Sequence, residues 1–363
     1  MTGTGPQVSV LSSGHDVADA RLHRLVAALH RGGLSVEVRG LGVVADGPPG
    51  ATVHAAPRGS ARRRLVRAAV LPWQARGQVL LTLDPDLVPS AAARRLLGRR
   101  LVVDVHEDYA AMLDDRSWAT GATAVAARTL VRLATALAAR ADLTLVADDH
   151  VPPVTARRRL VVRNRPDLRM LPAPAPPDSV PRAVYIGDLR TSRGLRMMVD
   201  AVAAAPPWRL DLVGPVMQQD QAWLLERLAS EGLGQRVVLH PRMPPERAWR
   251  VAAGAWLGLA VLHDTPAFRA AMPSKLAEYL ACGVPVAVSP LPRLVKFIDD
   301  TGAGVVVDGA ESLAATMRGW YSDPAAAAPA REATARCASL ARAEPDPYAE
   351  MSQAVRLVST GAR

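Results

Sequence analysis

The stretch from Ala270 to Val288, AAMPSKLAEYLACGVPVAV, decides how the rest of the chain is read. Met272-Pro273-Ser274 starts a helix, because proline brings a pre-set φ to a first turn where its missing N–H costs nothing. Leu276, Leu280 and Ala281 recur at helical spacing, Cys282-Gly283 ends the helix, and residues 284–288 read as a short buried strand. Ser274, Lys275 and Glu278 then share the expected exposed face beside the helix N-terminus. Free N–H groups and the positive dipole end attract a phosphate there, and a carboxylate one turn on can accept two sugar hydroxyls. The same residues also fit a plain amphipathic helix with a solvated lysine and glutamate. The lysine tips the balance: the chain has two, Lys275 and Lys296, against 42 arginines. The pattern outlines a nucleotide-sugar site.

A length of 363 residues predicts two domains. With 49% hydrophobic residues and 4% aromatic ones, the cores must be built from Ala, Val and Leu. No run of eighteen apolar residues occurs, and the opening MTGTGPQVSVLSSG lacks a charged segment before an apolar one. The expectation is a chain that neither spans a membrane nor is secreted. Cys282 and Cys337 give no disulfide framework and no metal-ligand spacing, which fits a reducing cytoplasm.

The net charge of +10 is uneven. Residues 1–180 hold 24 Arg against 16 acids, and residues 181–363 hold 20 Lys and Arg against 18. The excess gathers at Arg58 with Arg62-Arg63-Arg64 and Arg67, at Arg94-Arg95 with Arg99-Arg100, and at Arg157-Arg158-Arg159. Without a reading element or interleaved aromatics these clusters do not indicate nucleic acid. They leave two readings, a soluble basic face or contact with an anionic membrane surface, where each basic residue contributes roughly 1 kcal/mol.

Along the first half, residues 8–11 form a strand that runs into a turn at Ser12-Ser13-Gly14-His15. A helix follows through Leu22, Leu25, Val26 and Leu29, and further strands are expected at 36–41, 79–83, 101–104 and 143–146. Residues 170–182 hold five prolines, the mark of a stiff linker. The pattern then restarts, with strands expected at 183–186, 210–213, 237–239, 257–262, 284–288 and 304–307. Alternating strands and helices predict parallel sheets covered on both faces. The expected domains are 1–170, a hinge at 171–182, and 183–345. Residues 346–363 form a closing helix that could return to the first domain, and the alanine-rich stretch before it is expected to be mobile.

These residues resemble the GT-B glycosyltransferases of the family-4 type along nearly the whole chain. The matching segments are His15 with Asp19-Ala20-Arg21, Val103-Asp104-Val105-His106-Glu107, Asn164-Arg165-Pro166-Asp167, Tyr185-Ile186-Gly187 with Arg193-Gly194-Leu195, and the opening stretch. They also occur in the family's order. The resemblance implies an α/β fold of two Rossmann-like doubly wound domains facing a central cleft. The second would bind a nucleoside-diphosphate sugar and the first an acceptor, with closure about the hinge and retention of anomeric configuration. No metal or other cofactor is implied.

By that resemblance Glu278 matches the glutamate that holds the ribose hydroxyls, and Arg193 stands where a diphosphate-binding cation is expected. Gly187, Arg190, Ser274 and Lys275 complete the expected donor site. A cation there offsets charge that grows on the leaving diphosphate. His106 matches an active-site histidine near the donor sugar. Glu107 or Asp108 could accept a proton from the acceptor, although a carboxylate with a pKa of about 4 is a weak base at neutral pH. His15 is placed, with Asp108, on the acceptor side.

Two positions depart from the family pattern. Ala270 replaces a glutamate that many members carry eight positions before the second. Asp188 stands where arginine often follows the glycine turn, and would repel a diphosphate unless Arg190 or Arg193 neutralises it. The expected activity is glycosyl transfer to an acceptor hydroxyl, the acceptor being a lipid-linked or cell-surface glycan or a small-molecule scaffold. A non-catalytic GT-B partner protein and a nucleotide-sugar epimerase are the alternatives.

Overall fold

The computed structural model describes residues 5–114, 121–230, 232–269 and 272–361. The chain divides into two units, one of Met1–Asn164 with Asp346–Arg363 and one of Arg165–Pro345. The first division thus falls at Asn164, six residues before the proline-rich segment.

Unit 1 is built on β1 (Val8–Asp16), β2 (Val36–Leu41), β3 (Thr52–Ala56), β4 (Val79–Thr82), β5 (Arg100–Val105), β6 (Leu143–Val146) and β7 (Arg159–Val161). All pair in parallel, in the order β3-β2-β1-β4-β5-β6-β7. Unit 2 is built on β8 (Arg182–Ile186), β9 (Arg209–Val213), β10 (Val237–His240), β11 (Leu257–Ala260), β12 (Val286–Val288) and β13 (Gly304–Val306). These also pair in parallel, in the order β10-β9-β8-β11-β12-β13. Helices cover both faces, so central strands are apolar on both sides, as in Val79–Thr82 and Leu257–Ala260, where every residue is buried.

Three features depart from expectation. The edge strands β3 and β7 have no continuous apolar run, because an edge strand is only half covered. The turn expected at Ser12–His15 is an irregular part of β1, whose pairing with β2 breaks between Leu11 and Asp16. The alanine-rich stretch is the helix Ala328–Ala343, with Ala330, Ala333 and Ala338 buried and its face against the helix Ser274–Ala281. Alanine is the best helix former, and its small side chain lets two helices approach closely.

The closing helix Ala349–Thr360 packs on the helix Ala20–Arg31. Tyr348, Met351, Val355 and Val358 join Leu22, Leu25 and Leu29 in one buried cluster. No helix among the described residues is long and apolar enough to cross a membrane.

Candidate functional site

In each sheet the strand order reverses at one point, between β1 and β4 in unit 1 and between β8 and β11 in unit 2. Crevices outside the carboxyl ends of strands at such points are where open α/β sheets bind ligands. The singled-out residues gather there, in two separate groups.

In unit 2, β8 ends at Ile186 and the chain turns at Gly187-Asp188 before the short 3-10 turn Thr191–Arg193 and the helix Leu195–Ala203. Thr191 anchors this loop by donating its hydroxyl to Asp220 at 2.5 Å. Gly194 adopts φ +83°, and a side chain there would run into the Val261 carbonyl, so only glycine fits. The helix Ser274–Ala281 starts at Pro273, which acts as its N-cap without a side-chain hydrogen bond. Its first N–H groups are thus left open to a ligand.

Lys275 reaches from this helix to the turn. Its ammonium lies 3.7 Å from the centre of the Tyr185 ring, and a Cβ added at Gly187 would stand 3.1 Å from its Nζ. The Nζ is buried and, among the described residues, has no hydrogen-bond partner. Burial and the neighbouring Arg193 guanidinium lower its pKa to about 7, against the pull of Glu278 and Asp188. Glu278 is not on an exposed face as expected but only 6% accessible. Its helix is covered on one side by the sheet and on another by Ala328–Ala343. Ser274 lies within 3.4 Å of the Glu278 carboxylate. Asp188 is neutralised, chiefly by a residue outside the sequence reading: Arg242 donates to it at 2.7 Å, while Arg193 stands at 3.9 Å. Ala270 lies outside the described residues.

In unit 1 the three segments of the resemblance meet. Asp19 caps the helix Ala20–Arg31 by accepting from the Arg21 and Leu22 N–H groups. Arg21 donates to both oxygens of buried Asp104 at 2.7 and 2.6 Å, and Arg24 donates to Asn164 at 2.6 Å. This network fixes the end of β5, from which His106 projects. His106 meets the His15 ring edge-on at 5.0 Å, and its Nδ1 lies 3.4 Å from the Tyr109 hydroxyl. Tyr109 in turn donates to the Leu83 carbonyl at 3.0 Å.

His15 Nδ1 stands 3.1 Å from Asp84, whose other oxygen accepts from the Ser12 hydroxyl at 2.6 Å and the Ser13 N–H at 2.9 Å. The two histidines are driven apart. Burial lowers the pKa of His15, but the hydrogen bond and charge of Asp84 outweigh it and push it up to about 9. Burial, with the nearby cations His15 and Arg21, pulls His106 down despite Asp104. At neutral pH the pair is one imidazolium and one imidazole. Against the cost of its own burial, Asp84 is held well below the usual carboxylate range by His15, Ser12 and Arg64. Asp108 accepts from the Ala110 N–H at the start of the next helix, and Glu107 is exposed. Asp84, Tyr109 and Arg242 were not singled out in the sequence; each sits just past a strand end, and that position is the only signal they carry.

Most clustered arginines have structural partners. Arg95 binds Asp142, Arg99 donates to the Gly77 carbonyl, and Arg159 donates to the carbonyls of Asp148, Asp149 and Val151.

Residues 171–339 match the family described as glycosyl transferases group 1. The match falls within unit 2, which therefore carries a domain of that kind, and the solved structures show that the chain has the GT-B fold. Among solved structures, sucrose-phosphate synthase from Thermosynechococcus elongatus aligns with a TM-score of 0.67 at 16% identity, over 98% of this chain and 99% of its own. HepE from Anabaena, solved with UDP and glucose, aligns at 0.66 and 16% identity over 98% and 100%. WaaG, a glycosyltransferase involved in lipopolysaccharide biosynthesis, aligns at 0.62 and 14% over 98% and 100%. No curated protein sequence matches the chain.

Proposed function

We propose that the protein transfers a glycosyl group from a nucleoside-diphosphate sugar to an acceptor hydroxyl, with the donor on unit 2 and the acceptor on unit 1. One observation carries the donor half: the buried, unpartnered Lys275 ammonium beside Gly187 and an uncapped helix N-terminus. Glu278 and Asp188 act on this ammonium only without contact, so a diphosphate supplies the contacting counter-charge that it lacks among the described residues, and Arg193 adds a second cation. As the glycosidic bond to the diphosphate breaks, negative charge builds on the leaving phosphate oxygens, and these fixed cations stabilise it. Glu278 would accept the two ribose hydroxyls. No step in this reading calls on a metal or other cofactor.

On unit 1, neutral His106 can accept or donate one hydrogen bond to a sugar hydroxyl, while cationic His15 presents a fixed positive charge. Retention of configuration is what the family-4 resemblance implies. The balance of Asp188 by Arg242 answers one of the two reasons for a non-catalytic reading, the other being Ala270. Cytoplasmic placement, with peripheral contact between the basic unit 1 and an anionic membrane, is the accompanying proposal.

The test is a thermal-shift screen against UDP, GDP, TDP and ADP and their sugar conjugates. UDP is the first choice, since HepE was solved with it. A ligand at 100 times its dissociation constant adds about 2.7 kcal/mol to the folded state. A raised melting temperature with one base, followed by acceptor-dependent release of that diphosphate, supports the proposal. Cooperative melting with no shift for any base overturns it.

A further inference from the structure

Outside the carboxyl ends of β1, β2 and β3, unit 1 holds a cavity of about 680 Å³ that neither histidine lines. Ser13 and Gly14 of β1, Leu41 of β2 and Ala56 of β3 form its floor, and the helix Ala61–Gln74 begins at its edge with Ser60 as N-cap. Arg58, Arg62, Arg63, Arg64 and Arg67 line it, and no acidic residue does.

These arginines share one cavity, and only part of their hydrogen-bonding capacity is used. Arg64 is spent on Asp86 and Asp84, at 2.8 and 3.3 Å. Arg67 donates one Nη to the Gly40 carbonyl at 2.8 Å, and its buried Nε has no partner among the described residues. Arg58, Arg62 and Arg63 are exposed, and their side chains enter no hydrogen bond or ion pair among the described residues. Guanidinium groups converging on one cavity repel one another unless an anion sits between them. Their planar forks match the oxygens of phosphate.

We propose that this cavity binds a phosphate group carried by the acceptor, with Arg58, Arg62, Arg63 and Arg67 as its ligands. The proposal rests on the reading of unit 1 as the acceptor side. The phosphate could belong to a soluble molecule or to a lipid: Leu65, Val66, Val70 and Trp73 of the same helix are exposed, 41–59% accessible, and offer apolar surface beside the cavity.

Arginine labelling with phenylglyoxal, mapped by mass spectrometry on the full chain, tests it. Four additions are compared at equal ionic strength: sodium chloride, inorganic phosphate, glycerol phosphate, and vesicles of phosphatidylglycerol. At about ten times its dissociation constant a bound phosphate should slow labelling of Arg58, Arg62 and Arg63 about tenfold, by simple occupancy. Exposed Arg209 of unit 2 serves as the control and should not change. Protection by inorganic or glycerol phosphate supports a soluble source, and protection by vesicles alone supports a lipid-borne one. In the variant Arg62→Ser/Arg63→Ser, which changes two exposed side chains, protection of Arg58 should disappear.

Labelling rates that respond to none of the additions, or equally to chloride, overturn the proposal. The UDP thermal shift reads the donor reading separately. A protein that binds UDP but shows no protection refutes only the phosphate cavity. One that shows protection but binds no nucleotide keeps the cavity and loses the transferase reading.

Discussion

The two groups of site residues handle charge in opposite ways. In unit 1 the cation is built with its counter-ion: His15 against Asp84, Arg21 against Asp104, Arg64 against Asp84 and Asp86. In unit 2 the cations exceed the acids around them, and Lys275 sits in a dry position with only an aromatic face beneath it. The first arrangement is complete without a ligand and fixes geometry. The second is stable only at a cost in pKa, which a bound anion removes. Charge balance thus separates the histidine group of unit 1, which holds shape, from the Lys275 group of unit 2, which waits for a phosphate.

The largest effects should come from breaking the second arrangement. Arg193→Ala is expected to lower transfer by at least about 100-fold, the usual loss on removing one transition-state charge contact, and Glu278→Ala to lower it through the lost ribose contacts. Turnover assays on variants whose melting remains cooperative would show it. Wild-type rates in both would refute the donor assignment.

Breaking the first arrangement should instead cost stability. Asp84→Asn leaves His15 without its carboxylate and should cost roughly 3 kcal/mol in urea unfolding at neutral pH. The pH dependence has a definite sign. The folded pKa of His15 is raised from 6.5 to about 9, so its contribution is full below 6.5 and is lost as pH rises through 9. Asp84 is shifted down, so its contribution is present above its ordinary value and is lost as pH falls through the folded one. Wild-type stability should therefore decline between about pH 6.5 and 9, and Asp84→Asn should flatten that decline. An equally steep decline in the variant would separate the pair.

His106→Ala should reduce turnover while leaving donor affinity within about twofold, since the residue lies in unit 1. Donor titration beside steady-state rates distinguishes the two, and an unchanged rate would return His106 to a structural role. The smallest effect is a linkage. Lys275 has a pKa of about 7 without ligand, and a diphosphate should raise it. Nucleotide binding above that pH should take up a proton, and affinity should fall by up to about tenfold per pH unit. Calorimetry in buffers of different ionisation enthalpy reads the proton count directly. Binding without proton uptake at pH 8 would mean that Lys275 does not face the phosphates.

Central strands were legible in the sequence because both faces are buried and the apolar run is continuous; 36–41 and 143–146 coincide with β2 and β6. Edge strands β3 and β7 were not, because half-covered residues need not be apolar, whereas the edge strands β10 and β13 keep enough valine and leucine to be read. The motif residues could be read because they follow strands directly. Partners such as Asp84 and Arg242 could not: each acts on a residue 69 or 54 positions away, and nothing local marks an acid or arginine for that use. Glu278 was misread as exposed because helix periodicity locates an apolar stripe but not a third layer, here the alanine helix 328–343.

The buried cluster that Tyr348, Met351, Val355 and Val358 share with Leu22, Leu25 and Leu29 also bears on how the molecule is made. During synthesis the β1–β7 segment leaves the ribosome long before the residues that finish its hydrophobic interior. The intervening 181 residues, Arg165–Pro345, can close their own interior in the meantime. The half translated first is thus completed last, and until then it keeps an apolar surface that a chaperone would recognise.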